Sequence, residues 1–170
     1  YAFGHSLEEN TSAVVKANGG EVVGKVNVPF PNQDFSSFLL QAQGSGADVI
    51  GLANAGGDTV NAIKQASEFG ITQAGQKLAA LLMFTNDVHA LGVQTAQGVS
   101  LTEAFYWDQN DETRAWSDRF MQAHGAMPNM VQAGVYSSTM AYLAAVKELG
   151  SAEDGKAIVD KMKAMDIEDP

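Results

Sequence analysis

In the stretch Ala47-Asp-Val-Ile-Gly-Leu-Ala-Asn-Ala-Gly-Gly-Asp58, a short apolar run leads into a loop of small residues and then into a helix start. Residues 49–53 have the length and composition of a buried strand, and aspartate, as at position 58, is a common helix cap. Buried strands followed by helices are typical of parallel sheets, and open α/β sheets bind ligands at the carboxyl ends of their strands. The stretch therefore predicts an α/β fold and makes Asn54 a candidate ligand-binding residue.

The rest of the chain alternates between strand and helix patterns around this stretch. The predicted strands cover residues 21–30, 49–53, 77–84 and 99–107. The predicted helices begin with a capping box at residues 6–9, with Asp34 and with Asp58, and then cover residues 111–124, 129–149 and 151–165. This alternation predicts a mainly parallel sheet with helices on both faces, which is a Rossmann-like three-layer lobe.

The end of the chain follows a different pattern. Two predicted helices and no strand follow residue 129, so the sheet that they would cover lies outside this sequence. Tyr1 is not an initiator Met and belongs to no leader segment, and the chain stops abruptly at Pro170. We therefore expect a fragment that holds one α/β lobe and part of another.

Composition excludes several classes of function. The 170 residues are 45% hydrophobic, which is enough for a real core, and the net charge is −10, which disfavours nucleic acids and anionic membrane surfaces as partners. No apolar run approaches the roughly 20 residues that span a bilayer, so we expect no membrane insertion. The absence of cysteine excludes disulfides, thiol catalysis and the common zinc sites.

The sequence lacks the common motifs of catalysis, nucleotide binding and metal binding. Neither G-x-G-x-x-G nor the P-loop pattern occurs, no G-x-S-x-G elbow is present, and the histidines are scattered. Residues 108–112 resemble the start of a calcium loop, but Thr113 stands in place of its glycine and Arg119 in place of its final glutamate. We expect no cofactor, no catalytic residue and no metal site.

Three predicted strands end in residues that suit a ligand site. These are the segments Asn54-Ala-Gly-Gly57, Thr85-Asn-Asp87 and Phe105-Tyr-Trp107. Parallel strands deliver their carboxyl ends to one edge of the sheet, so the three segments are expected to meet in one crevice, together with Tyr1 if a strand precedes it. For any single residue, an ordinary role in a turn or a helix cap stays open.

Five segments occur in a specific order along the chain: Tyr1-Ala-Phe-Gly4, Gly19-Gly-Glu-Val-Val-Gly24, Pro31-Asn-Gln-Asp-Phe-Ser-Ser37, Gly46-Ala-Asp-Val-Ile50 and the stretch from Phe105-Tyr-Trp107 to Trp116. In this order and spacing they resemble the solute-binding proteins of branched-chain amino acid type ABC transporters, which have the type I periplasmic binding fold. In that family two Rossmann-like lobes, joined by a three-stranded hinge, close over a ligand.

The resemblance implies a division of the chain and a function. Residues 1–128 would form the second lobe without its first strand, and residues 129–170 would return to the first lobe as helices. The implied protein is periplasmic, binds a small amino acid or an aromatic or other carboxylate between its lobes, and delivers it to the membrane subunits of an ABC permease.

The resemblance also implies site residues. Tyr1 corresponds to the ligand-covering tyrosine of the family, the loop Asn54-Ala55 to a loop that touches the ligand, and Thr85-Asn-Asp87 to a loop that often presents an acid to an α-ammonium group. Asp87 departs from the usual family setting, which argues against an amino acid and for an aromatic or other small carboxylate. The candidate ligand-binding residues are Tyr1, Phe3, Asn54, Ala55, Thr85, Asn86, Asp87 and Phe105.

Two other functions stay open from the sequence. One is an α/β hydrolytic enzyme that uses Asp87 with His89, although no nucleophile accompanies that pair. The other is a ligand-sensing receptor domain of the same fold.

Overall fold

The computed structural model describes residues 1–167 and divides into two units, Tyr1–Thr102 and Glu103–Pro170. No helix within the described part is both long and apolar enough to cross a bilayer.

The first unit is an open α/β arrangement around a parallel sheet of three strands. In chain order its elements are α1 (Ala2–Ala17), α2 (Ser36–Gln43), β1 (Val49–Leu52), α3 (Gly57–Glu68), β2 (Lys77–Ala80), α4 (Thr85–Leu91), α5 (Val93–Ala96) and β3 (Val99–Leu101). The strands lie in the order β1-β2-β3, with Ile50 opposite Leu78 and Ala80 opposite Leu101. The parallel α/β fold predicted from the sequence is confirmed.

The core of this unit lies where α2 and α3 cover the sheet. Alternate residues of β1 and β2 are buried because successive side chains of a strand point to opposite faces. Helix α3 contributes a fully buried stripe at the spacing of helical turns. The principal core side chains are Phe35, Leu39, Ile50, Leu52, Ile63, Ala66, Ile71, Leu78 and Met83.

Several predicted boundaries are wrong. Helix α1 begins at Ala2, so Ser6 lies inside it instead of capping it, and the Ser6 carbonyl accepts a hydrogen bond from the Asn10 side chain at 2.7 Å. The second and third sheet strands end at Ala80 and Leu101 instead of continuing to residues 84 and 107. Apolar residues continue past the point where strand pairing stops, so the lengths predicted for these two strands are too long.

The strand predicted over residues 21–30 is absent. The segment has no regular hydrogen-bonded structure, although Val28 packs against the core. A strand exists only when a neighbouring strand accepts and donates its backbone hydrogen bonds, and within residues 1–167 this segment pairs with none.

The second unit is helical, with α6 (Asp111–His124), α7 (Met130–Leu149) and α8 (Gly155–Ala164). Side chains at the helix starts accept backbone hydrogen bonds: Asn110 from Thr113, Asn129 from Val131 and Asp154 from Ala157. These caps and the glycines that follow α6 and α7 are signals that lie next to the helices in the sequence. The predicted bounds of α6 and α7 are therefore correct to within one residue.

Candidate functional site

The candidate site is built where β1 and β2 end side by side. The Leu81 N–H donates to the Leu52 carbonyl at 3.2 Å, so the pairing continues to the last residue of β1. The loops before α3 and α4 therefore leave the sheet from neighbouring strands at its carboxyl edge, where open α/β sheets bind ligands.

The loop after β1 holds Asn54 in a defined orientation. Thr59 Oγ1 donates to Asn54 Oδ1 at 2.8 Å, and Asn54 Nδ2 has no hydrogen-bond partner within residues 1–167, so it is available as a donor. Gly56 turns the chain into α3 with φ 56°, in the left-handed region that favours glycine. The loop can therefore present an amide donor from a fixed backbone.

Asp58 does not cap α3, which corrects the expectation from the sequence. Helix α3 has no side-chain cap, and both carboxylate oxygens of Asp58 instead accept the Asn32 N–H, at 3.2 and 3.3 Å. Farther along α3, Gln65 accepts the Phe35 N–H at 2.7 Å and donates to the Gln33 carbonyl at 2.8 Å. Two side chains of α3 thus hold the segment that enters α2.

Tyr1 lies beside the loop that contains Asn54. A β-carbon added to Gly4 would lie 2.9 Å from the Ala53 carbonyl oxygen and 3.4 Å from Cε1 of Tyr1. Glycine at this position thus lets the first turn of α1 approach the end of β1 closely. The Tyr1 ring and the Ala53 carbonyl oxygen thus lie on the same side of Gly4, near the position that its β-carbon would take.

Tyr1 belongs to an exposed aromatic cluster with Phe3 and Phe30. The Tyr1 and Phe30 rings are stacked, with centroids 4.3 Å apart and an angle of 20°, and the Phe3 centroid is 5.9 Å from that of Tyr1. Sequence reasoning missed Phe30. Its position at the end of an apolar run, before Pro31, was the signal available.

In the segment after β2, the Asp87 carboxylate accepts hydrogen bonds from residues of its own turn. Its Oδ2 accepts the Phe84 N–H at 2.9 Å and its Oδ1 accepts the Asn86 side-chain N–H at 3.2 Å. The carboxylate thus stabilises the start of α4, where Thr85 and Asn86 are the first residues. A negative charge is favourable at that end of a helix.

Phe105 lies in the second unit and is not on a strand, contrary to the prediction. Its side chain is 7% exposed and packs edge-on against Trp116, with ring centroids 5.3 Å apart. Trp116 also contacts Phe120, as its helical spacing indicated. A hollow of about 390 Å³ opens beside these rings, between the residues that precede α6 and the first turns of α7.

The acidic segment before α6 is an ion-pair cluster. Arg114 donates to Asp108 at 2.8 Å and to Asp111 at 2.6 Å, and these carboxylates raise the pKa of the guanidinium. Within residues 1–167, no group of three His, Asp or Glu side chains is placed to hold a metal ion. The turn at residues 107–108 and the Asn110 cap of α6 agree with the turn and helix cap predicted for this segment.

A family model described as periplasmic binding protein matches residues 1–170. A crystallised periplasmic binding protein from Burkholderia mallei is 56% identical, with a TM-score of 0.92 over 99% of this chain and 44% of that one. The Leu/Ile/Val-binding protein homolog 6 of Brucella melitensis is 28% identical over 177 residues, which are 100% of this chain and 45% of the relative.

A solute-binding protein from R. palustris, crystallised with benzoate, shares the fold with a TM-score of 0.79 at 21% identity, over 96% of this chain and 43% of that one. This chain spans less than half the length of these relatives. Their names describe binding proteins. At the level of the family, this confirms the prediction of a binding protein and not an enzyme.

Proposed function

This chain belongs to the periplasmic binding protein family, and on that premise we propose that it is part of an extracytoplasmic solute-binding protein of an ABC transporter. The protein binds a small carboxylate between two lobes and delivers it to the membrane subunits of a permease. Residues 1–128 belong to the second lobe, and residues 129–170 belong to the first.

One observation carries the proposal: the first turn of α1, which bears Tyr1, approaches the loop that bears Asn54 at the carboxyl edge of the sheet. Gly4 lies against the Ala53 carbonyl oxygen with the Tyr1 ring beside it, and Asn54, the next residue of the loop, has an available Nδ2. Small-molecule sites combine apolar surface with a few placed polar groups in this manner. Tyr1 and Phe3 supply the apolar contact, and the Asn54-Ala55 loop supplies the hydrogen bonds.

The state of Asp87 supports an aromatic or other small carboxylate over an amino acid. A carboxylate is a strong partner for an α-ammonium group, but each oxygen of Asp87 accepts a hydrogen bond from the turn that begins α4, so only part of its acceptor capacity is left for a ligand. An acid without an ammonium group needs no such partner. Thr85 and Asn86 can contact this ligand beside Asp87.

The test is a thermal-shift screen of the full-length protein against L-amino acids and against benzoate derivatives. A ligand at 100 times its dissociation constant stabilises the folded state by about 2.7 kcal/mol, which is readily measured. We expect a shift with at least one benzoate derivative. A shift with aliphatic amino acids alone would contradict the ligand class, and no shift with either class would contradict solute binding of this kind.

A further inference from the structure

The aromatic cluster at the carboxyl end of β1 is unusual in its exposure. Tyr1 is 43% exposed, Phe3 39% and Phe30 57%, and these are three of the four exposed aromatic side chains in residues 1–102. The fourth, Phe69, lies at the opposite end of α3. Clustered exposed apolar side chains mark binding surfaces, whereas isolated ones do not.

Within the cluster, Phe30 presents the largest free surface. Its ring covers one face of Tyr1 in a nearly parallel stack with centroids 4.3 Å apart. Its own exposure means that much of the remaining ring surface is left uncovered by residues 1–167. Offset stacking of a further ring on such a surface is a favoured aromatic geometry.

The segment that carries Phe30 is fixed from both sides. Two residues after it, the Asn32 N–H is held by Asp58, and Gln65 holds the backbone at Gln33 and Phe35. Before it, Val28 packs against the core. A ring held in place before the ligand arrives loses little freedom on binding, which favours affinity.

We propose that Phe30 is a ligand-stacking residue that sets specificity: with Tyr1 it forms an aromatic stack that selects a planar aromatic acid over an aliphatic amino acid. This inference rests on the proposed function, because it names the ligand class of the same site. Asn54 Nδ2, at the neighbouring loop, is the donor suited to the polar edge of such a ligand.

The test measures equilibrium affinity by calorimetry in the full-length protein, with benzoate, 4-hydroxybenzoate and L-leucine as probes. Phe30→Ala is expected to weaken binding of the tighter aromatic probe about 3- to 10-fold, the range that one aromatic pair provides. Phe30→Tyr keeps the ring and is expected to bind as the wild type does. Phe69→Ala removes an exposed ring at the far end of α3 and is the matched control, with unchanged affinity.

Each outcome decides between this inference and the broader function. If the wild type binds an aromatic probe and Phe30→Ala binds it equally well, the inference fails while the proposed function stands. If the wild type binds only leucine, solute binding stands and the aromatic selectivity fails. If it binds none of the three probes, both fail. Should Phe30→Ala unfold, Phe30→Leu, which keeps apolar volume without a ring, replaces it with the same expected loss.

Discussion

At the scale of single residues, the close approach of α1 to the end of β1 depends on Gly4. We expect Gly4→Ala to lower the melting temperature and to weaken ligand binding, because its methyl group would lie 2.9 Å from the Ala53 carbonyl oxygen and beside the Tyr1 ring. Overpacking of this kind costs about 1–3 kcal/mol, against a gain of about 1 kcal/mol in helix propensity. Calorimetric melting and ligand titration of the full-length variant measure both effects.

The matched control is Gly134→Ala, in the second turn of α7. Apart from its own helix, no atom of the described residues lies within 4 Å of a β-carbon built there, so only the gain in helix propensity applies, up to about 1 kcal/mol. Opposite signs for the two substitutions are expected. A Gly4→Ala variant as stable as the wild type, with unchanged affinity, would show that α1 does not depend on this contact.

At the scale of elements, the start of α2 is held by Asp34. Hydrogen bonds from the Ser36 side chain and backbone lower the pKa of the Asp34 carboxyl below its ordinary value of 3.8. Because the folded-state pKa is the lower one, the ionised carboxylate stabilises the fold above about pH 4, and this contribution is lost as the pH falls through the lowered pKa. Carboxyl NMR titration is expected to place the Asp34 midpoint below 3.8.

Two variants separate the causes of that shift. Ser36→Ala removes the hydroxyl and keeps the backbone donor, so the Asp34 pKa is expected to rise only part of the way toward its ordinary value. Asp34→Asn is expected to remove this step from the pH dependence of stability. An Asp34 midpoint that is unchanged in Ser36→Ala would contradict the assignment of the hydroxyl as the largest cause.

Elements differed in how far the sequence could predict them. Helix α6 was predicted to the residue, because its start and stop signals, Asn110 and Gly125, lie next to it in the chain. The ends of the strands were not predicted correctly, because strand pairing depends on neighbours that are distant in sequence. The candidate site divides in the same way: Asn54 follows from its place after a buried strand, whereas the partners of Asp58 and the stack on Tyr1 depend on contacts between distant segments.

At the scale of the whole molecule, residues 21–28 and the outer edge of β1 both have backbone hydrogen-bonding groups that pair with no strand within residues 1–167. The odd-numbered positions from Glu21 to Asn27 are exposed while Val22, Val26 and Val28 are half-buried, which is the alternation of a strand with Gly24 as the one exception. Within residues 1–167, strand β1 is hydrogen-bonded to β2 on one side and to no strand on the other. Since the chain spans 44% of the Burkholderia mallei relative, we propose that a strand outside these 170 residues lies between β1 and this segment and pairs with both.

Hydrogen exchange in the full-length protein tests this arrangement. We expect every second backbone amide of residues 22–28 to exchange slowly, since a parallel strand on one side accepts only the N–H groups that point toward it. Strand β2, which is paired on both sides, is the internal reference for slow exchange, and the loop from Asn54 to Gly56 is the reference for fast exchange. Protection of alternate amides in residues 22–28 close to that of β2 would support a completed sheet. Exchange as fast as in the loop would show that the segment stays unpaired and that β1 forms a true edge.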